Sequence, residues 1–310
     1  MEPLLRIRGL KKRYGAHTAL DGIDLDIPRA EVFGLLGPNG AGKTSLIRII
    51  NRIVEADEGQ VLFLGKPIGP EDVQRIGYMP EERGLYQKME VGEQAVYFAR
   101  LKGMTEAAAK TALKEWFERF SIESWWKKKV EELSKGMAQK VQFITTVVHR
   151  PELIILDEPF SGFDPVNADL VKDEILRLSR EGATVLFSTH RMESVESLCS
   201  RIALIDRSKL VLQGPVGEVR KRYREQLYRL EWSAAPGSSE PLWPTGVEIL
   251  ERSEVEPGHH RARLRLPTGL SNADVLRPIL EVGEPLFFEE VLPSIHEIFV
   301  RTVAGQTQPL

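Results

Sequence analysis

Residues 30 to 50 read "AEVFGLLGPNGAGKTSLIRII", a compact apolar run, then a glycine-rich loop, then apolar residues at helical spacing. The first part suits a short buried strand and the last a helix. Between them, Gly37, Gly42, Lys43 and Thr44 satisfy G-x-x-x-x-G-K-[ST] in the strand, loop, helix context that gives this motif its meaning. Glycines let such a loop curl until its amide hydrogens converge on phosphate oxygens, and the helix dipole adds a favourable field. The cradle is assigned to Gly37, Pro38, Asn39, Gly40, Ala41, Gly42, Lys43, Thr44 and Ser45. Lys43 is expected to bridge the outer phosphates as a point charge, while the Thr44 hydroxyl offers one hard oxygen to Mg2+.

A metal held by one hydroxyl needs a carboxylate at the end of a neighbouring strand. "PELIILDEP", residues 151 to 159, supplies it: Asp157 to hold Mg2+, and Glu158 to orient and deprotonate an attacking water. "GATVLFSTH", residues 182 to 190, reads as a further buried strand. Short apolar strands followed by helix-friendly sequence indicate a mainly parallel sheet with helices on its faces, an α/β core.

"LSKGMAQK", residues 133 to 140, poses a separate question. Ser134 stands where an N-cap belongs, Gly136 keeps the first turn bare, and Met137, Val141, Ile144, Thr145 and Val148 recur at helical spacing. A bare helix start attracts an anion, so the chain carries a second anion site besides its phosphate loop.

Composition narrows the setting. The chain has 310 residues, enough for two domains, and its 42% hydrophobic content is ordinary for a soluble protein. With 42 Lys plus Arg against 45 Asp plus Glu, nucleic acid is not expected as a partner. The single cysteine, Cys199, lies in "ESLCSRIALI" and reads as a small buried hydrophobe, with no disulfide framework. A membrane span takes roughly 20 mostly apolar residues, and runs such as "LIIL" are far shorter. The start "MEPLLRIRGLKKRYG" has no signal-peptide pattern, so the expected compartment is the cytoplasm.

Short apolar runs occupy residues 4 to 36, and from Val91 to Phe120 the pattern turns helical, with Ala109, Leu113, Trp116, Phe117 and Phe120 on one face. This predicts a helical insert at about 91–150. After the charged "EVRKRYREQ" the chain changes character, placing a boundary near residue 222 between domains 1–222 and 223–310. Strands are expected at "LYRLEW", "VEILER" and "ARLRLP", and helices at "NADVLRPILE" and "SIHEIFVRTV" with Asn272 or Ser294 near their starts, a small α+β appendage. "SWWKKKVEEL" is taken as a solvated helix end with one Trp inward, and the adjacent histidines of "GHH", in an expected hairpin loop, are left unassigned.

The ordered set "GPNGAGKT", "LSKGM", "LDEPFSGFDP" and "FSTH" resembles the nucleotide-binding domain of ATP-binding cassette (ABC) proteins over roughly residues 4 to 220. The resemblance implies a P-loop NTPase core of ABC type, with ATP and Mg2+ as ligands. It also answers the question of the second site: in that family the signature helix caps the γ-phosphate bound by a second nucleotide-binding domain, head to tail. Ser134 and Gly136 would then contact the partner's ATP. By the same resemblance Tyr14 stacks on adenine, His190 is the switch that positions Glu158 and the water, and Asp164 crosses the dimer interface. Catalysis is thereby assigned to Glu158, His190 and Lys43.

Two departures stand out. The family signature is L-S-G-G-Q, whereas Lys135 and Met137 stand at its third and fifth positions here. In "IGYMPEERGLY" Glu81 occupies the place of a metal-sensing glutamine, so a carboxylate joins Thr44 and Asp157 as a metal contact. Together these features resemble bacterial ABC exporters of the sodium-extrusion type, which carry a small C-terminal domain. That implies a separate membrane permease docked between insert and core, holding the subunit on the inner face of the membrane. Leu85, Tyr86 and Met89 would either form a pad for it or pack internally. The second cassette is a copy or a paralogue. A soluble ABC clamp for translation or DNA repair is the alternative, disfavoured because no second cassette or long coiled coil is present; a catalytically weak regulatory module and a GTPase fit less well still.

Overall fold

A computed structural model describes residues 2–82, 84–189, 192–235, 237–238 and 240–305. The chain divides into two compact units, Met1–Val216 and Gly217–Leu310.

The first unit opens with β1 (Leu5–Tyr14), β2 (His17–Ile27), β3 (Val32–Leu36) and α1 (Lys43–Ile50). β4 (Glu58–Phe63), β5 (Lys66–Pro67) and β6 (Ile76–Met79) lead to the helical insert of α2 (Val91–Leu101), α3 (Glu106–Arg119) and α4 (Lys135–Val147). The chain then alternates through β7 (Leu153–Asp157), α5 (Pro165–Arg180), β8 (Thr184–Ser188), α6 (Met192–Leu198), β9 (Arg201–Asp206) and β10 (Lys209–Pro215). An antiparallel sheet has the order β2-β1-β4-β5, and a larger one the order β10-β9-β3-β8-β7-β6. In the larger sheet β9, β3, β8, β7 and β6 are parallel, with β10 antiparallel at the edge.

Every residue of β3, β7 and β8 is buried, which is why their sequences are unbroken apolar runs instead of alternating ones. β8 lies between β3 and β7, and Asp157 pairs in register with Ser188. The carboxyl ends of these three strands therefore open side by side, where open α/β sheets bind ligands. In the insert, Ala109, Leu113 and Phe117 face inward from α3 and Phe120 closes it, also buried. Trp126 is the inward tryptophan of the "WW" pair, 5.2 Å from the Phe117 ring.

The second unit contains α7 (Val216–Arg222) from its second residue on, β11 (Leu227–Ala234), β12 (Glu248–Glu256), β13 (His259–Arg265), α8 (Asn272–Val282), β14 (Gly283–Glu290) and α9 (Ile295–Val303). Its antiparallel sheet has the order β12-β13-β11-β14, and Leu230, Trp232, Ala262 and Leu264 pack with Val275 and Ile279 of α8 as a separate core. The cap of α8 is Ser271 instead of Asn272, boxed with Asp274, and Ser294 boxes with Glu297 at α9. β14 was not foreseen: Pro285 interrupts "GEPLFFEE", and such a strand is tolerated because it lies at the sheet edge, with a register shift beside it. His259 and His260 lie in β13, not in a loop; His259 Nε2 is 3.0 Å from Glu231 Oε2, and His260 stacks on Trp232. Among the described residues no helix is long and apolar enough to cross a membrane.

Candidate functional site

β3 delivers the chain into the loop at 37–42, and α1 begins with Lys43. Two glycines are forced by close approach. A Cβ on Gly42, whose φ is 115°, would lie 2.2 Å from the carbonyl oxygen of Ala19, and one on Gly37 would lie 2.3 Å from that of Ile205. No side chain caps α1 and no acidic residue occupies its first turn, so its first amides remain directed at an incoming anion. Lys43 Nζ donates to the carbonyls of Gly37 at 2.7 Å and Pro38 at 3.1 Å, held back on its own loop. Burial pushes the Lys43 pKa down, and the charges of Asp157, Glu158 and Glu81 act against that shift.

Asp157 ends β7 at 6% exposure. Burial, reinforced by the negative charges of Glu81 and Glu158, raises its pKa. Glu158 follows with a left-handed backbone, φ 50°, a conformation costly for a non-glycine residue. Its amide donates to the Ser188 carbonyl at 2.9 Å, and its Oε2 accepts from Thr189 Oγ1 at 3.1 Å. The end of β8 thus holds the end of β7.

A cavity of about 260 Å³ gathers Tyr14, Asn39 through Ser45 of the loop, Glu81, Asp157 and Glu158. His17 also lines it and was missed from the sequence, where only its position across a tight turn from Tyr14 could have flagged it. Thr189 was missed likewise, although it stands in the quoted "FSTH". Thr44, Asp157 and Glu81 present hard oxygen donors to one space, the donor set that suits Mg2+. Among the described residues no three His, Cys, Asp or Glu side chains are gathered to hold a metal unaided, so phosphate and water would supply its other positions. A larger cavity, about 640 Å³, lies between α3 and α5, and its Arg119 and Arg177 are already paired with Glu174 and Glu181.

The signature residues lie outside the nucleotide cavity. Ser134 caps α4, its Oγ accepting from the Met137 amide at 3.3 Å, and no acidic residue occupies the first turn of that helix. Asp164 caps α5: its Oδ1 accepts from the Asn167 amide at 3.0 Å, an arrangement that lowers its pKa. His190 lies outside the described residues.

A family model described as "ABC transporter" matches residues 20–161, and one described as "ATP-binding protein DrrA1-3-like, C-terminal domain" matches residues 214–303. The uncharacterised ABC transporter ATP-binding protein YhaQ of Bacillus subtilis is 41% identical over 304 residues, 97% of this chain and 99% of its own. The chain belongs to the ABC transporter ATP-binding family. Linearmycin resistance ATP-binding protein LnrL of Bacillus subtilis is 36% identical over 214 residues, 68% of this chain and 69% of LnrL. A solved ATP-binding subunit of an ABC transporter superposes with TM-score 0.66 at 28% identity, covering 71% of this chain and 93% of that one. ABC subunits of this kind bind ATP, hydrolyse it to power transport, and work with membrane permease components. The expected P-loop core of ABC type and small α+β appendage are both borne out.

Proposed function

We propose that this chain binds MgATP in a head-to-tail pair of cassettes and that hydrolysis in this pair drives an export permease. The observation that carries it is the convergence on one cavity of the uncapped start of α1, Lys43, Asp157 and Glu158.

In this scheme Tyr14, half exposed at the cavity rim, stacks on adenine. The amides of residues 37–45 and Lys43 hold the phosphates, Lys43 exchanging its loop carbonyls for phosphate oxygens. Thr44, Asp157 and Glu81 hold Mg2+. Bound there, the metal neutralises charge on the phosphate oxygens. Glu158, fixed by Thr189 and by its backbone, takes a proton from the attacking water, and His190 is assigned as the switch. Ser134 and Gly136 grip the nucleotide of the second cassette, and Asp164 lies at that interface. Closure is then favoured before hydrolysis and opening after it.

Export is favoured by the resistance function in the name of LnrL and by the DrrA-like C-terminal match. The subunit is placed on the cytoplasmic side of the membrane through its permease, and no nucleic-acid partner is proposed. Leu85 is buried at a groove beside α2 and α4, while Tyr86 is exposed and stacked on Phe98 at 6.1 Å, so a docking pad would use the second and internal packing the first. Light scattering of Glu158→Gln in MgATP tests the pairing: a dimer that dissolves on nucleotide removal is expected, and a persistent monomer would refute the sandwich.

A further inference from the structure

Tyr14 and His17 close the hairpin of β1 and β2. Only Gly15 and Ala16 stand between them, Gly15 in the left-handed region at φ 59°, as the first position of a two-residue hairpin loop favours. Tyr14 pairs directly with His17 in the ladder, so the two rings leave the same face of the hairpin with their Cβ atoms about 5 Å apart. Both line the nucleotide cavity. The Lys12 ammonium, bonded to Asp57 at 2.7 Å, lies over the Tyr14 ring at 5.5 Å from its centre. One face of the phenol is thereby taken, and a base must use the other.

Ser208 fixes this hairpin to the phosphate loop. Its amide donates to the Ala41 carbonyl at 3.3 Å, its hydroxyl to the Thr18 carbonyl at 2.6 Å, and its own carbonyl accepts from the Asp21 amide at 2.8 Å. Ala19, which shares the cavity wall, lies against Gly42 of that loop. Residues two apart on a strand share a face, and a step of two advances about 7 Å. From Ala19 to His17 the wall therefore runs from the phosphate end toward the nucleoside, and His17 stands beside Tyr14. The His17 imidazole is exposed and makes no hydrogen bond or ion pair among the described residues, so no other contact engages it.

A phenol ring covers one ring of a base. That is all a pyrimidine presents, whereas a purine extends past it by a second ring. We propose, on the reading above that Tyr14 stacks on the base, that His17 carries this second ring, so that the two side chains form a seat selecting purine over pyrimidine nucleoside triphosphates. Stacking reads the area of a π face and not its hydrogen-bonding edge, so ATP and GTP gain alike from it. His17 is thus a specificity residue for the nucleotide, held in place by the turn and by the Ser208 clamp before any ligand arrives.

The test titrates the purified full chain with the magnesium complexes of ATP, GTP, CTP and UTP by calorimetry. His17→Ala should weaken ATP and GTP about fivefold and CTP and UTP less than about twofold. His17→Phe restores a ring without its nitrogens and should bring both purines back to within about twofold of the parent. Tyr14→Ala should weaken all four. Thermal melting without nucleotide, expected to match the parent for each variant, separates these losses from a folding defect at the exposed hairpin tip. Equal losses for all four nucleotides in His17→Ala, no loss in any, or purine binding by His17→Phe as weak as by His17→Ala would overturn the two-ring seat while leaving base stacking on Tyr14 intact. Unaltered affinities in Tyr14→Ala would overturn base stacking on Tyr14 itself, and the seat with it.

Discussion

Thr189 Oγ1 donates to Glu158 Oε2 at 3.1 Å, tying the residue just past β8 to the one just past β7. With the Glu158 amide bonded to Ser188, the carboxylate is held by backbone and side chain in a left-handed conformation. Thr189→Val removes the hydroxyl and keeps the shape. Since one such bond contributes about 1 kcal/mol, kcat for ATP hydrolysis should fall by roughly fivefold with KM little altered. An unchanged kcat would show that the hydroxyl does not position the base.

Lys43→Ala removes the only side-chain cation in the nucleotide cavity among the described residues. Charge-assisted bonds to phosphate of this kind contribute about 1.5–3 kcal/mol, so ATP affinity should drop by about tenfold to a hundredfold in a fluorescent-nucleotide titration. Equal affinity in the variant and the parent would remove Lys43 from the phosphate site.

Glu81, Asp157 and Glu158 set three carboxylates around one lysine, an arrangement that disfavours a bare triphosphate. Glu81→Gln subtracts one negative charge. Metal-free ATP, titrated in EDTA, should bind the variant about tenfold more tightly than the parent, while MgATP gains less. If the ratio of metal-free to metal-bound affinity is the same in both proteins, Glu81 does not act on the nucleotide's charge.

Much of this site could be read from order and spacing, because phosphate binding is done by backbone and therefore leaves a glycine pattern at Gly37 and Gly42. Asp157 and Glu158 were legible for a similar reason: an unbroken buried strand has to end somewhere, and its end is where carboxylates can stand. Thr189 and the Gln142 contact with Pro80 were not legible, since each joins segments far apart in sequence through one side-chain bond that no periodicity records. The failure at β14 has another cause. An edge strand needs only one partner and tolerates proline, so local propensity argued against a strand that pairing with β11 imposes.

The core of the second unit, built on Leu230, Trp232, Ala262, Leu264, Val275 and Ile279, is drawn entirely from residues beyond 222. The first unit has its own, from Leu5 and Ile7 of β1 through Leu46 of α1 to Ile205 of β9. We therefore expect residues 1–222 alone to melt in one cooperative transition and to bind MgATP. A fragment with no transition by circular dichroism would place essential packing of the ATPase in the C-terminal unit.

His149 follows the last turn of α4, and burial first, then the positive charge of Lys102, holds its pKa at about 4. The unfolded value is near 6.5, so the folded pKa is the lower one. At neutral pH the ring is uncharged in both states and costs nothing. As pH falls below 6.5 the unfolded chain takes up a proton that the folded chain refuses, and stability is lost until about pH 4, amounting to about 3 kcal/mol over the whole window. His149→Leu cannot titrate, so the difference in melting temperature between variant and parent should grow in the variant's favour between pH 6.5 and 4.5. Cavity or packing changes at this position would offset the variant's curve by an amount that does not vary with pH. A difference that stays constant across that range would show that His149 is not held neutral by its surroundings.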